Sequence, residues 1–209
     1  MIRLKAAGVA AAFVFAPSCA STLAPLVAPQ VITEASALRE GAYQLDPDHA
    51  ALIFRVDHLG FSDFIGRFEI FDAVLDFDPD DPQAARIDAI IEIGSLDIAN
   101  DAFAETLTSG QWLDAARFPQ ARFLSTGMEI TGASSGIVTG EFTLHGVTAP
   151  MELAVTFNGG ARDRLRGGAY VVGFSATGEF DRTEFGVDRF SGVVGDMVSI
   201  EIEAEFIRR

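Results

Sequence analysis

From Tyr43 onward the chain is written in short runs where apolar and polar residues alternate. Leu52, Phe54 and Val56 alternate with Ile53, Arg55 and Asp57; Met151, Leu153, Val155 and Phe157 alternate with Glu152, Ala154 and Thr156. Ile87, Ala89, Ile91 and Ile93 keep one parity around Asp88, Ile90 and Glu92. The clearest run comes last: Val198, Ile200, Ile202, Ala204 and Phe206 share one face, and Ser199, Glu201, Glu203 and Glu205 share the other. Period-two alternation places one face in apolar surroundings and the other in water, the signature of antiparallel strands. One run changes parity: Phe64, Gly66, Phe68 and Ile70 give way to Phe71, Ala73, Leu75 and Phe77. Such a shift predicts a bulge near Ile70, the device that bends a strand in a curved sheet. Residues 101–114 break the pattern, with Phe103, Leu107 and Gly110 at helical spacing, and predict a short helix ending near Gly110. Many short strands with little helix mean a sandwich or a barrel, and alternation alone does not choose between them.

The first 41 residues read differently. Arg3 and Lys5 precede an uncharged apolar run from Ala6 to Ala16, and Ser18-Cys19-Ala20 supplies small residues for cleavage. Residues 1–20 are therefore expected to be a signal peptide, with a run too short to span a bilayer. A lipoprotein signal with Cys19 as the lipid anchor is the alternative, although Ala16-Pro17-Ser18 matches that pattern poorly. Residues 21–41, rich in Ala, Pro, Ser and Thr, are expected to be a linker, and 42–209 a single domain.

Composition narrows the function. Eighteen Phe stand against two Tyr and one Trp. Phe has no polar handle, so these rings need a core or an oily cavity. The formal net charge of -15 disfavours nucleic acid and docking on anionic bilayers by charge alone. The single Cys, in the leader, excludes an intrachain disulfide and a cysteine-based zinc site.

Three motifs fail on inspection. Gly132-Ala-Ser134-Ser-Gly136 has the letters of a nucleophile elbow, but it lies between two strand-like runs rather than before a helix. Asp76-Phe-Asp78-Pro-Asp80 opens like a calcium loop but has Asp81 and Ile87 where Gly and Glu are required. His49 and His58, nine apart on an extended segment, point to opposite faces, and His145 sits in a turn. No catalytic set, metal site or cofactor is expected. His58 shares parity with Phe54 and Val56. Its plainer role is a buried, hydrogen-bonded structural histidine; the other is a polar group in a cavity that orients a ligand's head.

Taken together the blocks resemble the YceI-like family. Asp48-His49-Ala-Ala-Leu52-Ile-Phe54-Arg-Val56-Asp-His58-Leu59-Gly60-Phe-Ser62 is similar to its opening strand, and Gly66-Arg-Phe68 and Asp76 continue it. Trp112-Leu-Asp114-Ala-Ala-Arg-Phe118-Pro119, with Phe123 and Ser125, resembles its central segment, and Gly140-Glu-Phe142-Thr-Leu144-His145-Gly146-Val-Thr148 the segment after it. Gly173-Phe174, Arg182-Thr-Glu-Phe185-Gly186 and Gly195-Asp196-Met-Val198 resemble its last third, so the likeness covers 43–209. Ala50 and Phe103-Ala-Glu105-Thr106-Leu107 depart from the family's usual Ser and its polar Arg-Asp-x-His-Leu stretch.

The resemblance implies an all-β fold, an eight-stranded antiparallel lipocalin-like barrel with an elongated cavity for a polyisoprenoid or similar long-chain lipid, and export to the periplasm. Parity, in turn, puts Phe54, Val56, His58, Phe68, Phe123, Phe142, Leu144 and Phe174 on inward faces as the expected ligand-binding residues, with plain core packing as their other role. The expected function is binding or carriage of an isoprenoid-type lipid, a polyisoprenoid or a quinone. A lipid-modifying enzyme and a filled-barrel structural or stress-related partner protein are the alternatives. An outer-membrane lipoprotein and a homodimer stay open.

Overall fold

The computed structural model describes residues 28–34 and 38–209; the expected leader and Cys19 lie outside the described residues. The strands are β1 (Gly41–His58), β2 (Ser62–Phe68), β3 (Phe71–Phe77), β4 (Arg86–Glu92), β5 (Leu96–Asp97), β6 (Gln120–Ile130), β7 (Ser135–Leu144), β8 (Val147–Asp163), β9 (Ala169–Asp181) and β10 (Val194–Arg208). All strand pairings are antiparallel, in the order β10-β9-β8-β7-β6-β4-β3-β1, and β1 pairs back onto β10. The sheet therefore closes. β2 continues the line of β3 along β1, and β5 continues that of β4, so these four segments fill two positions in the wall. The result is a closed eight-stranded antiparallel barrel with one short helix, α1 (Asp101–Thr108). Closure removes the free edges that an open sheet would expose.

The parity change near Ile70 is a two-residue interruption between β2 and β3. The ladder is replaced by the Ser95 turn: Glu69 N–H donates to the Ser95 carbonyl (3.0 Å) and Ile70 N–H to Ser95 Oγ (3.0 Å), while the Ile70 carbonyl accepts from Glu92 N–H (2.9 Å). The helix is shorter than the 101–114 expected. Asn100 caps it by accepting from Phe103 N–H at 3.1 Å. After Thr108 the chain folds back over its own last turn, with Asp114 buried at a φ of 46°, so helical spacing at Gly110 does not become helix.

At the end where β1 begins, the base, Tyr43, Tyr170, Val172 and Leu38 pack together. The Tyr43 hydroxyl donates to the Arg39 carbonyl at 2.5 Å, and burial pushes its pKa up to about 12. Within the segment expected to be linker, Leu38 is buried in this cluster, and Ile32 exchanges backbone hydrogen bonds with Gly160 on the part of β8 that runs beyond β7.

At the opposite end, the mouth, one side chain makes many of the hydrogen bonds that hold the chain between β9 and β10. Arg182 is buried and donates to the carbonyls of Val187, Arg189, Val194 and Gly195 and to Asp196 Oδ1, at 2.5–3.1 Å. A guanidinium suits this task because its donors form a fixed planar fork. Phe185, 1 % exposed, anchors the same segment against Phe142 and Phe180.

Candidate functional site

The inner faces of the strands enclose a chamber of about 650 Å³ that runs along the barrel. Its wall is almost wholly hydrocarbon, and its polar side chains are few: His58 and Arg182 toward the mouth, Ser125 in the wall, and Arg86, Ser134 and Ser135 toward the base. Of these, Ser125 accepts from Ile87 N–H at 2.8 Å, and Arg182 is fully engaged as described. An eight-stranded barrel is just wide enough to be filled by its own side chains or to hold one small ligand. Here two inward glycines favour the open state. The Phe54 ring lies over Gly66 and the Phe123 ring over Gly140; a Cβ at either glycine would come within 2.4 Å of the ring. With no side chain beneath them, both rings lie back against the wall instead of meeting across the axis.

All eight residues singled out from the sequence face this chamber, but in two kinds of surroundings. Phe123, Phe142 and Leu144 are buried among wall neighbours, with Phe142 packed on Phe180 and Phe185 at ring distances of 5.1 and 5.3 Å. Phe54, Val56, Phe68 and Phe174 are only half-buried, because one side of each borders empty space. His58 is a correction to the plainer expectation: it is not buried, its imidazole is not hydrogen-bonded to any described residue, and it stands exposed at the mouth because β1 ends there.

The mouth also contains residues that alternation did not reveal. Phe103 and Leu107 of α1 reach the lining, as do Trp112 and Phe190 from two loops; Phe64 meets Phe103 edge-on at 5.6 Å, and Trp112 lies 6.0 Å from Phe190. Phe64 was legible, since it shares parity with Gly66 and Phe68. Trp112 and Phe190 lie in irregular chain, where no period assigns a face.

The other polar groups serve local structure. His145 and Gly146 form the two-residue turn between β7 and β8, both with positive φ, and His145 Nδ1 lies 3.1 Å from the Phe185 carbonyl. The Gly132–Gly136 stretch is the turn from β6 to β7 and the first two residues of β7, with a strand and no helix after it, and Asp78 caps its own turn by accepting from Asp80 N–H at 2.9 Å. Asp46, His49 and Glu205 bring potential ligand atoms within 4.8 Å of one another outside the chamber. Their charge is met by Arg166, which donates to Asp46 at 2.8 Å and Glu205 at 2.5 Å. No described helix is long and apolar enough to cross a membrane.

Comparison with known proteins agrees with this architecture. A UPF0312 protein of Pseudomonas savastanoi pv. phaseolicola is 31% identical over 190 residues, covering 90% of this chain and 97% of that protein. BcnA of Burkholderia cenocepacia superposes with a TM-score of 0.69 at 21% identity, covering 77% of this chain and 98% of that one. A polyisoprenoid binding domain from Saccharophagus degradans superposes with a TM-score of 0.59 at 10% identity, covering 82% and 100%. At these identities the two superpositions speak for the fold. The YceI-like domain model matches residues 43–206, and the chain belongs to the YceI-like domain family.

Proposed function

We propose that this protein is an exported, periplasmic carrier that holds a long-chain isoprenoid-type lipid, a polyisoprenoid or a quinone, inside its barrel. The observation that carries the reading is the chamber: about 650 Å³ of space bounded by hydrocarbon in a barrel that could have been filled. The polyisoprenoid binding domain of like fold supports the same ligand class. At roughly 30 Å³ per water-sized group, the chamber takes about 20 heavy atoms; a longer tail would extend through the mouth. Affinity would come from tail burial, at about 25 cal/mol per Å² before ordering costs. The half-buried Phe54, Val56, Phe68 and Phe174 would meet the tail, with Phe123, Phe142 and Leu144 behind them and His58 at the exit. Export rests on the leader read in residues 1–20.

The test is native mass spectrometry of protein purified from its own host, followed by solvent extraction and identification of the bound species. The expected result is a one-to-one complex with a prenyl-chain lipid, on a chain processed near Ser21. A barrel that repeatedly emerges empty, and stays empty after incubation with prenols and quinones, would sink the proposal.

A further inference from the structure

Arg189 sits at the mouth in a setting unlike that of its neighbours. Its guanidinium lies 5.8 Å from the centre of the Trp112 ring and 5.1 Å from that of Phe190, two rings that line the chamber. It makes no hydrogen bond or ion pair with any described residue, in a protein with 30 acidic against 15 basic residues. The adjoining Asp188 is exposed and forms no described ion pair with Arg189, and two further carboxylates of the mouth are engaged elsewhere. Asp196 accepts from Arg182 and Ser191, both at 2.8 Å, and Asp57 accepts from Gly60 N–H at 3.0 Å. Arg182 shows how completely this fold satisfies a guanidinium that has a structural task; Arg189 is exposed, and its guanidinium makes none of these bonds to a described residue.

His58 is the neighbouring polar group. It pairs with Val194 across the β1–β10 seam, and Val194 N–H is held by the Phe190 carbonyl at 2.9 Å. The turn that carries Arg189 thus leaves the wall at the rung of His58, so a guanidinium and an imidazole without described partners flank one exit from an apolar chamber.

The geometry points to a head-group receptor: Arg189, seated on Trp112 and Phe190 and assisted by His58, binds the anionic head, phosphate or carboxylate, of a lipid whose tail lies in the barrel. Contact with the two rings would hold the guanidinium at the mouth, where its fork of donors suits a bidentate contact with an oxyanion. The protein's overall negative charge opposes this only weakly, since screening removes most of the field beyond about 8 Å at physiological ionic strength. The inference rests on the lipid-carrier reading and refines it, favouring a prenyl chain with an acidic end over a quinone.

The test measures displacement of the apolar fluorophore N-phenyl-1-naphthylamine from the purified full chain by three ligands sharing one tail: geranylgeranyl phosphate, geranylgeranoate and geranylgeraniol. Wild-type protein should bind at least one anion more tightly than the alcohol. Arg189→Met, which keeps an unbranched side chain over the rings but no charge, should weaken that anion about tenfold, the usual worth of a charge-assisted hydrogen bond, and leave the alcohol within about twofold. Arg189→Lys should recover part of the loss. Whichever anion responds tells whether the head is phosphate or carboxylate. Equal weakening of anion and alcohol, or no weakening of either anion, would overturn the receptor while leaving the carrier standing. If none of the three ligands displaces the fluorophore from wild-type protein, the carrier reading itself falls, and the receptor with it.

Discussion

Phe142 and Phe54 both face the chamber, yet they answer to different forces. Phe142 is enclosed by Phe180 and Phe185, so truncation would leave a cavity among packed rings; Phe142→Ala is expected to cost about 3–5 kcal/mol. Phe54 already borders space on one side and has fewer partners to lose, so Phe54→Ala should cost clearly less. Denaturant unfolding of the two variants decides the matter, and equal losses would mean that Phe54 is ordinary core. Val56 lies between Phe64 and Val198 in register, with its side chain toward the open axis. Val56→Trp should therefore fill the chamber and abolish lipid co-purification with only a modest fall in melting temperature. Unfolding in step with lipid loss would place Val56 in packed core instead. Arg182→Ala is expected to do harm comparable to that of Phe142→Ala, about 3–5 kcal/mol by analogy with breaking a buried ion pair, because Asp196 and several loop carbonyls lose their donor together. A variant that melts within a degree or two of wild type would contradict the structural role given to Arg182.

At the scale of elements, the wall was legible and the mouth was not, for a physical reason. A strand half in contact with apolar matter must alternate, so β1, β4, β8 and β10 could be read from residue types, and the slip near Ile70 marked a real interruption. Parity also selected eight chamber-facing residues, but it is blind to how much space lies in front of them. That depends on pairings such as Phe54 over Gly66, which join residues from different strands. The mouth is built from a helix and loops, where facing depends on hydrogen bonds that no period encodes. Helix α1 has no buried residue and is held at the rim chiefly by its cap and by contacts such as Phe103 on Phe64. Low burial means opening at small cost. Amide exchange over residues 101–108 is thus expected to be faster than in the wall strands of the empty protein, and to slow when a lipid fills the mouth against Phe103 and Leu107. Exchange in α1 that is indifferent to ligand would remove the helix from the path of entry.

For the whole molecule, the defining feature is the seam at which β1 meets β10, running from Tyr43 opposite Arg208 to His58 opposite Val194. It joins the first strand of the domain to its last. While the chain is being made, β1 has no partner on that side, and every shorter product carries two raw sheet edges and an oily concave surface. Contacts so distant in sequence form late and slowly, because a long loop must be closed before they repay its entropy. Folding is accordingly gated by the arrival of residues 194–208. A chain stopped before them should be an adhesive sheet and not a smaller carrier, found in the pellet with its apolar surface open to dye. A truncated product that stays soluble and monomeric would show that the wall stands without its last stave. On this view the protein has no intermediate length at which it is safe, and a helper that shields the unclosed sheet would be needed between synthesis and the moment the last strand arrives.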